Sequence, residues 1–172
     1  LPVNSKSVVL DIGSGWGNNA INLARRCGKV YAMDTMLPYL KWVPEEERSR
    51  RERQKPGAQF FDVLLHVNAF EAISGSASPE VARSFGPGSA TVVVGNPPWG
   101  YPKKKEEEDE NDKNEQKALA QTLKWCDPNQ GRPIGDNELS QAFIHLTLAI
   151  LQDGGRAGLL LSSGVFFKHH PN

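Results

Sequence analysis

The stretch that decides the fold spans residues 8–17 and reads Val8-Val9-Leu10-Asp11-Ile12-Gly13-Ser14-Gly15-Trp16-Gly17. It opens with a short apolar run closed by glycines, a pattern typical of a strand that is buried on both faces of a sheet. Glycines directly after such a strand let the backbone turn tightly and come close to a ligand. Because open α/β sheets bind their ligands at the carboxyl ends of strands, this turn is a candidate binding site.

Helix-like and strand-like segments alternate outward from this turn. Helices are predicted over the ranges 18–26 and 138–151, the second ended by Asp153-Gly154-Gly155, and residues 35–54 are predicted to be helical in part. Further strands are predicted over the ranges 30–33, 60–67, 91–94 and 156–161. Strands that alternate with helices pair in parallel through crossovers, so the sequence predicts an α/β fold with a doubly wound, mostly parallel sheet.

Two segments interrupt this alternation. Residues 74–90 are rich in Ser, Gly, Ala and Pro, which favours a surface loop. Residues 103–117 begin with the run Lys-Lys-Lys-Glu-Glu-Glu-Asp-Glu, which predicts a solvated, mobile loop. A chain of 172 residues is long enough for one domain with its own core and too short for two, so residues 1–172 are predicted to form a single domain.

Composition restricts the class of protein. The 20 Lys and Arg residues balance the 20 Asp and Glu residues, and phosphate binding normally shows as a basic excess. These residues are therefore not expected to grip nucleic acid by themselves. No apolar run approaches the roughly 18 residues of a membrane helix, and no secretory signal is evident, so we expect a cytoplasmic protein without membrane contact. Cys27 and Cys126 are isolated, which predicts neither a disulfide nor a metal site.

The spacing of the glycines separates two classes of cofactor. A dinucleotide fingerprint reads G-x-G-x-x-G, whereas this turn reads G-x-G-x-G and has Asn18 in the last place of the fingerprint. The pattern therefore disfavours a nicotinamide dinucleotide. It resembles the first motif of Rossmann-like methyltransferases, which bind S-adenosylmethionine. That resemblance implies cofactor-binding roles for Asp11, Gly13, Gly15, Gly17, Asp34, Asn68 and Ala69.

The resemblance assigns parts of the cofactor to three of these side chains. Asp11 is expected near the amino group of the methionine moiety. Asp34 follows 23 residues later at the end of the second strand, where its carboxylate is expected to accept both ribose hydroxyls. Asn68, with Ala69 beside it, stands where the family often has Asp, and its amide carbonyl is expected to accept from the adenine amino group.

A second motif, Asn96-Pro97-Pro98-Trp99, follows the fourth predicted strand. In a doubly wound sheet this strand end lies beside the first one, so the motif would face the same crevice as the glycine turn. An amino group conjugated to a ring is a poor nucleophile, and two acceptors aimed at its hydrogens would free its lone pair for attack. The side-chain carbonyl of Asn96 and the backbone carbonyl of Pro97 can supply them. Proline stiffens the segment, and Trp99 offers a face on which a flipped base can stack.

This four-residue set resembles the N-P-P-[Y/F/W] signature of amino-group methyltransferases. With the glycine motif before it, the chain resembles the gamma-type N6-adenine DNA methyltransferases of restriction–modification and related phage-defence systems. The resemblance implies a Rossmann-like methyltransferase fold and S-adenosylmethionine as cofactor. It also implies methyl transfer to the N6 amino group of a flipped adenine in DNA, with Asn96, Pro97, Pro98 and Trp99 as the catalytic residues.

The resemblance also implies that further parts of the protein lie outside residues 1–172. Fewer strands are predicted than this fold normally has, and no target-recognition region is evident, so residues 1–172 are expected to be a partial catalytic domain. Contact with DNA, and with any partner subunit of a restriction or defence system, is then expected through other regions. Two alternatives stay open: the same site could methylate RNA adenine or protein glutamine, or the domain could be a non-catalytic cofactor-binding subunit.

Overall fold

The computed structural model describes the ranges 2–15, 17–34, 63–66, 68–75, 85–98 and 110–167, together with residue 79. The predictions for residues 35–54 and 103–109, and the one for Trp99, lie outside the described residues.

The five described strands form one parallel sheet in the order β3-β2-β1-β4-β5. Their bounds are β1 Val8–Ile12, β2 Lys29–Asp34, β3 Val63–His66, β4 Ala90–Gly95 and β5 Leu151–Leu159. The first strand of the chain therefore lies in the middle of the sheet, with β2 on one side and β4 on the other. The strand order reverses between β1 and β4, and the crevice outside their carboxyl ends is where open α/β sheets bind ligands.

Helices cover both faces of this sheet. They are α1 Asn18–Ala24, α2 Ala69–Ile73, α3 Glu110–Trp125 and α4 Leu139–Ile150, with short 3₁₀ turns at Pro128–Gln130, Gly135–Asn137 and Ser163–Phe166. Neighbouring strand residues point to opposite faces, so Val9 packs with the residues of α1 and Leu10 packs with those of α2 and α4. The predicted doubly wound α/β sheet is confirmed. None of the described helices combines the length and the hydropathy that a membrane span requires.

Helix α4 is the main apolar support on its side of the sheet. Its buried apolar side chains recur at helical spacing, as the sequence predicts, and they are Leu139, Ala142, Phe143, Leu146 and Ile150. Full burial of each large side chain stabilises the fold by about 1.5–3 kcal/mol relative to exposure. This burial holds α4 against the sheet. Phe143, in the N-terminal half of the helix, thereby reaches the ligand-binding edge of the sheet.

The edge strand β5 differs from its prediction at its start. The sequence predicts a strand over 156–161 and treats Asp153-Gly154-Gly155 as the stop of the preceding helix. In the structure the chain passes from α4 directly into β5 at Leu151, and the pairing with β4 is irregular just after this point. Gly154 has a φ of +75°, which suits a strand irregularity as well as a helix stop. The prediction that these glycines end the helix is therefore wrong, because they lie within β5.

The charge run differs from its prediction over its second half. A loop is predicted over 103–117, but residues 110–117 form the first half of α3, so the prediction is wrong for them. The segment from 116 to 124 is rich in Ala, Leu, Gln and Lys, which are strong helix formers. At the end of the helix the Trp125 ring packs edge-on against Phe70, with ring centres 5.5 Å apart. This tertiary contact favours a helix where charge patterning alone indicates a loop.

A threonine side chain completes the hydrogen bonding between β1 and β4. The Thr91 hydroxyl donates to the carbonyl oxygen of Val8 at 2.9 Å and accepts from the N–H group of the same residue at 2.9 Å. Thr147 on α4 is the opposite case. Its hydroxyl is buried and has no hydrogen-bond partner among the described residues.

Replacing each of these threonines with valine should change stability in opposite directions. Thr91→Val removes both hydrogen bonds that the hydroxyl makes to the Val8 backbone and should lower the free energy of unfolding by about 1–3 kcal/mol. Thr147→Val removes an unsatisfied buried hydroxyl and should raise it by up to about 1 kcal/mol. Urea unfolding of the two variants measures both changes. A loss of the same size in both would contradict the hydrogen-bond assignment.

Candidate active site

The glycine turn after β1 is fixed to the end of β2. The N–H groups of Gly13 and Ser14 both donate to the carbonyl oxygen of Met33, each at 3.0 Å. The N–H group of Gly15 donates to a carboxylate oxygen of Asp34 at 2.8 Å. These bonds orient the Asp34 carboxylate at the carboxyl edge of the sheet, where a ligand can reach it.

The same turn contacts the segment that follows β4. Gly13 has a φ of +66°, and a methyl group added there would lie 2.7 Å from the carbonyl oxygen of Asn96 and 3.3 Å from the Cα of Pro97. On β4, a methyl group added at Gly95 would collide with the carbonyl oxygen of Ile12. Two glycines therefore let the ends of β1 and β4 approach closely, which brings together motifs that are far apart in the sequence.

The Asn96-Pro97-Pro98 segment leaves the sheet as an anchored strand end. The carbonyl oxygen of Gly95 still accepts from the N–H group of Leu160 at 2.9 Å, so pairing with the β5 side continues up to the segment. The Pro97 side chain is fully buried, whereas Asn96 and Pro98 are exposed. A buried proline with a fixed φ holds the backbone on both sides of it, so Asn96 and Pro98 face the crevice from a rigid base.

A single crevice joins the two motifs. Its volume is about 290 Å³, which is at the lower end of the range for small-molecule sites. The residues that line it are Ile12, Gly13, Met33, Asp34, Ala69, Asn96, Pro98 and Phe143. The crevice thus lies between the ends of β1, β2 and β4, at the switch point of the sheet.

The crevice contains some of the predicted site residues and not others. Those on its walls are Gly13, Asp34, Ala69, Asn96 and Pro98. The other predicted residues in the described part of the chain (Asp11, Gly15, Gly17, Asn68 and Pro97) do not line it. Asn68 lies beside the crevice, where its amide oxygen accepts from the N–H group of Phe70 and its amide nitrogen donates to the carbonyl oxygen of Ala118.

Asp11 lies beneath the glycine turn and is completely shielded from solvent. One of its carboxylate oxygens accepts from the Ser14 hydroxyl at 3.0 Å, and the other has no hydrogen-bond partner among the described residues. Burial raises the pKa of Asp11 from 3.8 to about 6. The Ser14 hydrogen bond opposes this rise, and the nearby Asp34 charge adds to it. A negative charge therefore lies under the turn at neutral pH, at a cost to stability.

Sequence reasoning missed the apolar walls of the crevice. Ile12 and Met33 come from the last two residues of their strands, and Phe143 comes from α4. Phe143 also packs edge-on against Phe70, with ring centres 5.0 Å apart. Strand-end apolar residues beside a glycine turn were a usable signal for Ile12 and Met33. The contribution of Phe143 depends on the packing of α4, which no local pattern shows.

The donor set of this crevice fits S-adenosylmethionine. Apolar walls from Ile12, Met33 and Phe143 suit the adenine ring. The oriented Asp34 carboxylate suits a pair of ribose hydroxyls. Beneath the turn, the buried Asp11 carboxylate has an oxygen with no hydrogen-bond partner within the described residues, and this would favour a cationic amino group above it. Within the described residues, no cluster of His, Cys, Asp and Glu side chains is arranged to hold a metal ion.

The strand order and the helices on both faces of the sheet define a Rossmann-like α/β fold. An rRNA methylase from Streptococcus thermophilus is a similar solved structure, with 19% identity over 94% of this chain and 64% of that chain at a TM-score of 0.46. A precorrin 8w decarboxylase from Methanobacterium thermoautotrophicum matches with 15% identity over 96% of this chain and 60% of that chain at a TM-score of 0.47. The chain thus spans less than two thirds of the length of either protein. No curated protein sequence matches it.

The family itself is established by sequence. The profile of the N-6 DNA methylase family matches residues 67–172, which is more than half of the chain. The chain therefore belongs to the N-6 DNA methylase family. The cofactor is S-adenosylmethionine, as in that family. The match includes Asn96, Pro97 and Pro98, whereas the glycine turn lies before it.

The two glycines of the turn should respond differently to alanine. Both have positive φ, so Gly13→Ala and Gly15→Ala should each lower the free energy of unfolding by about 1–2 kcal/mol. Only Gly13→Ala also collides with the Asn96 carbonyl, because no atom of the described residues lies within 4 Å of a methyl group added at Gly15. Gly13→Ala should therefore weaken binding of S-adenosylhomocysteine at least tenfold more than Gly15→Ala, as measured by calorimetric titration. Equal losses of affinity would contradict the close approach of the two motifs.

The raised pKa of Asp11 should appear as a pH-dependent stability. Between about pH 4 and pH 6 the folded protein binds a proton that the unfolded chain has released, so the free energy of unfolding should fall as pH rises. In Asp11→Asn this dependence is removed. The variant should be more stable than the wild type by about 2–3 kcal/mol at pH 7 and by much less at pH 4. Urea unfolding across this range tests the prediction, and parallel pH profiles for the two proteins would contradict it.

Proposed function

We propose that this protein transfers the methyl group of S-adenosylmethionine to the N6 amino group of an adenine in DNA. One observation supports the proposal most strongly: the Asn96-Pro97-Pro98 segment lies at the end of β4 and closes directly against the Gly13 backbone of the glycine turn. An acceptor set for an amino group and the walls of the cofactor crevice are thereby within one site. The name of the family, N-6 DNA methylase, supports an adenine N6 amino group in DNA as the methyl acceptor.

The chemistry required of the chain is to orient and activate an amino group. When bound, S-adenosylmethionine supplies an electrophilic methyl group on its sulfur. The Asn96 side-chain oxygen and the Pro97 backbone oxygen are the acceptors that we assign to the two hydrogens of the adenine amino group. Such acceptors shift the nitrogen towards a tetrahedral geometry and make its lone pair available for in-line attack. The proton that the product nitrogen releases passes to solvent, and no titrating base is assigned.

Rigidity of the acceptors is what makes the arrangement useful. Pro97 is buried, and Gly95 before it is still hydrogen-bonded to Leu160. Two acceptor oxygens on such a segment need little movement when the reaction begins. This preorganisation is the condition under which electrostatic stabilisation lowers the activation barrier. In the sequence Trp99 follows this segment directly, and we assign its ring as the face on which the flipped base stacks.

Recognition of DNA is assigned to other regions of the protein. The charges of this chain balance at 20 of each sign, so counterion release by these residues alone would give little affinity for a duplex. The chain therefore supplies the cofactor crevice and the amino-group acceptors, and a basic surface elsewhere in the protein provides the affinity for DNA. Partner domains or subunits of a restriction or defence system are the proposed source of that surface.

Substitutions at Asn96 should separate chemistry from cofactor binding. Asn96→Ala removes one acceptor and should lower kcat by about 10²–10³-fold while the affinity for S-adenosylhomocysteine changes by less than about threefold. Asn96→Asp keeps an acceptor oxygen in the same place and should retain more activity than Asn96→Ala. Single-turnover methylation rates and calorimetric titrations give the two quantities. Full activity of Asn96→Ala would contradict the assignment.

The acceptor itself is tested with labelled cofactor and separate pools of macromolecules. The full-length protein should transfer label to DNA that contains adenine and not to DNA in which adenine is replaced by 2-aminopurine, which lacks the N6 amino group. RNA and unfolded protein should stay unlabelled. Label in RNA alone or in protein alone would overturn the DNA proposal while leaving the family and its cofactor unaffected.

A further inference from the structure

The side chain of Gln141, in the first turns of α4, joins two segments at the carboxyl edge of the sheet. Helix α4 leads directly into the start of β5, so its own N-terminus lies at the opposite, carboxyl edge. The amide oxygen of Gln141 accepts from the N–H group of Gly135 at 2.6 Å, in the turn before α4. Its amide nitrogen donates to the carbonyl oxygen of Val165 at 3.1 Å, in the turn after β5. An N–H group can only donate and a carbonyl oxygen can only accept, so both bonds require the same orientation of the amide.

The turn after β5, residues 162–165, packs against the start of α4. The Ser162 hydroxyl accepts from the N–H group of Gly164 at 3.1 Å, and the side chain of Val165 is buried. A methyl group added at Gly164 would lie 3.6 Å from a carboxylate oxygen of Glu138, the buried N-cap residue of α4. The turn is therefore close to the helix, and the bond from Gln141 fastens its last residue there.

The same turn lies beside the Asn96-Pro97-Pro98 segment. The N–H group of Leu160 donates to the carbonyl oxygen of Gly95 at 2.9 Å, and this is the last bond between the two neighbouring strands. Asn96 follows Gly95 directly, and residues 162–165 begin two positions after Leu160. Because β4 lies between β1 and β5, the cofactor crevice and this turn lie on opposite sides of the end of β4.

We propose that Gln141 is a positioning residue for methyl transfer, because it holds the turn after β5 in place on the side from which the acceptor amino group reaches Asn96. In-line transfer puts the attacking nitrogen and the sulfur on opposite sides of the methyl group. With the sulfur in the crevice, the nitrogen approaches from the β5 side. A displacement of about 1 Å in such a boundary can slow a reaction by about 10²-fold. This inference rests on the proposed function of Asn96, and Gln141 itself does not line the cofactor crevice.

The first test uses the full-length protein and Gln141→Met, which removes both bonds at similar side-chain length. Its single-turnover methylation rate at saturating acceptor should fall by about ten- to hundredfold. Its affinity for S-adenosylhomocysteine, measured by calorimetry, should stay within about twofold of wild type, because the crevice is unchanged. The matched control is His145→Phe on the same helix. It removes the 2.8 Å bond between the His145 ring and the Pro133 carbonyl oxygen, leaves residues 162–165 untouched, and should keep the wild-type rate within about twofold.

Two charged variants separate the two bonds of Gln141. An ionised Gln141→Glu still accepts from the N–H group of Gly135 but cannot donate to Val165, whereas Gln141→Lys can donate to Val165 and cannot accept from Gly135. Because the proposal depends on the turn after β5, Gln141→Lys should react at least about fivefold faster than Gln141→Glu, a difference of roughly one hydrogen bond. In hydrogen exchange, the amides of residues 162–167 should exchange faster in Gln141→Met and Gln141→Glu than in wild type.

The rate is measured on whichever macromolecule the wild type labels, so label in RNA or protein would revise the acceptor and still test Gln141. A wild-type rate in Gln141→Met overturns the proposal, as does a loss of affinity for S-adenosylhomocysteine as large as the loss of rate. Equal rates for Gln141→Glu and Gln141→Lys also overturn it, and this comparison decides if Gln141→Met does not fold. Unchanged exchange of residues 162–167 contradicts the proposal without any turnover.

Discussion

The structure depends on the close approach of two strand ends, β1 at Ile12–Gly13 and β4 at Gly95–Asn96. At both Gly13 and Gly95 a side chain would strike the backbone of the opposite segment, so the approach exists only because neither residue has one. The contact brings the turn that we assign to the cofactor against the segment that we assign to the amino group. Methyl transfer needs its donor and acceptor atoms a few ångströms apart, and this spacing is set by backbone, which varies less than side-chain packing does.

A second constraint is the burial of charge beneath this contact. Asp11 lies under the turn and accepts a hydrogen bond from the Ser14 hydroxyl, and burial raises its pKa to about 6. A neutral residue there would give a more stable fold, since an ionised carboxylate loses hydration when buried. We therefore assign the buried acid to a cationic ligand group above the turn. The buried charge lowers the stability of the fold and raises the affinity for the ligand, a trade that is common for polar groups at functional sites.

Much of this arrangement follows from local sequence, and the remainder follows from packing. The β1 strand, its glycine turn, Asp34 and the Asn96-Pro97-Pro98 segment are recognisable because each depends on residue type and spacing within a few positions. The start of β5 cannot be recognised from the sequence, because Gly154 suits a helix stop and a strand irregularity equally. Helix α3 is packed in place by the contact of Trp125 with Phe70, and the hydrogen bond from Asn68 to Ala118 depends on where α3 lies. Such long-range contacts leave no periodic trace in the chain.

The most direct measurement of the central claim is a crystal structure of the protein with S-adenosylhomocysteine bound. Our account predicts the ligand in the crevice between Gly13 and Asn96, with its ribose hydroxyls on the Asp34 carboxylate, its adenine ring between Met33 and Phe143, and its sulfur facing the Asn96-Pro97-Pro98 segment. A ligand bound elsewhere, or one whose sulfur points away from Asn96, would contradict the claim that the approach of β1 and β4 builds the active site.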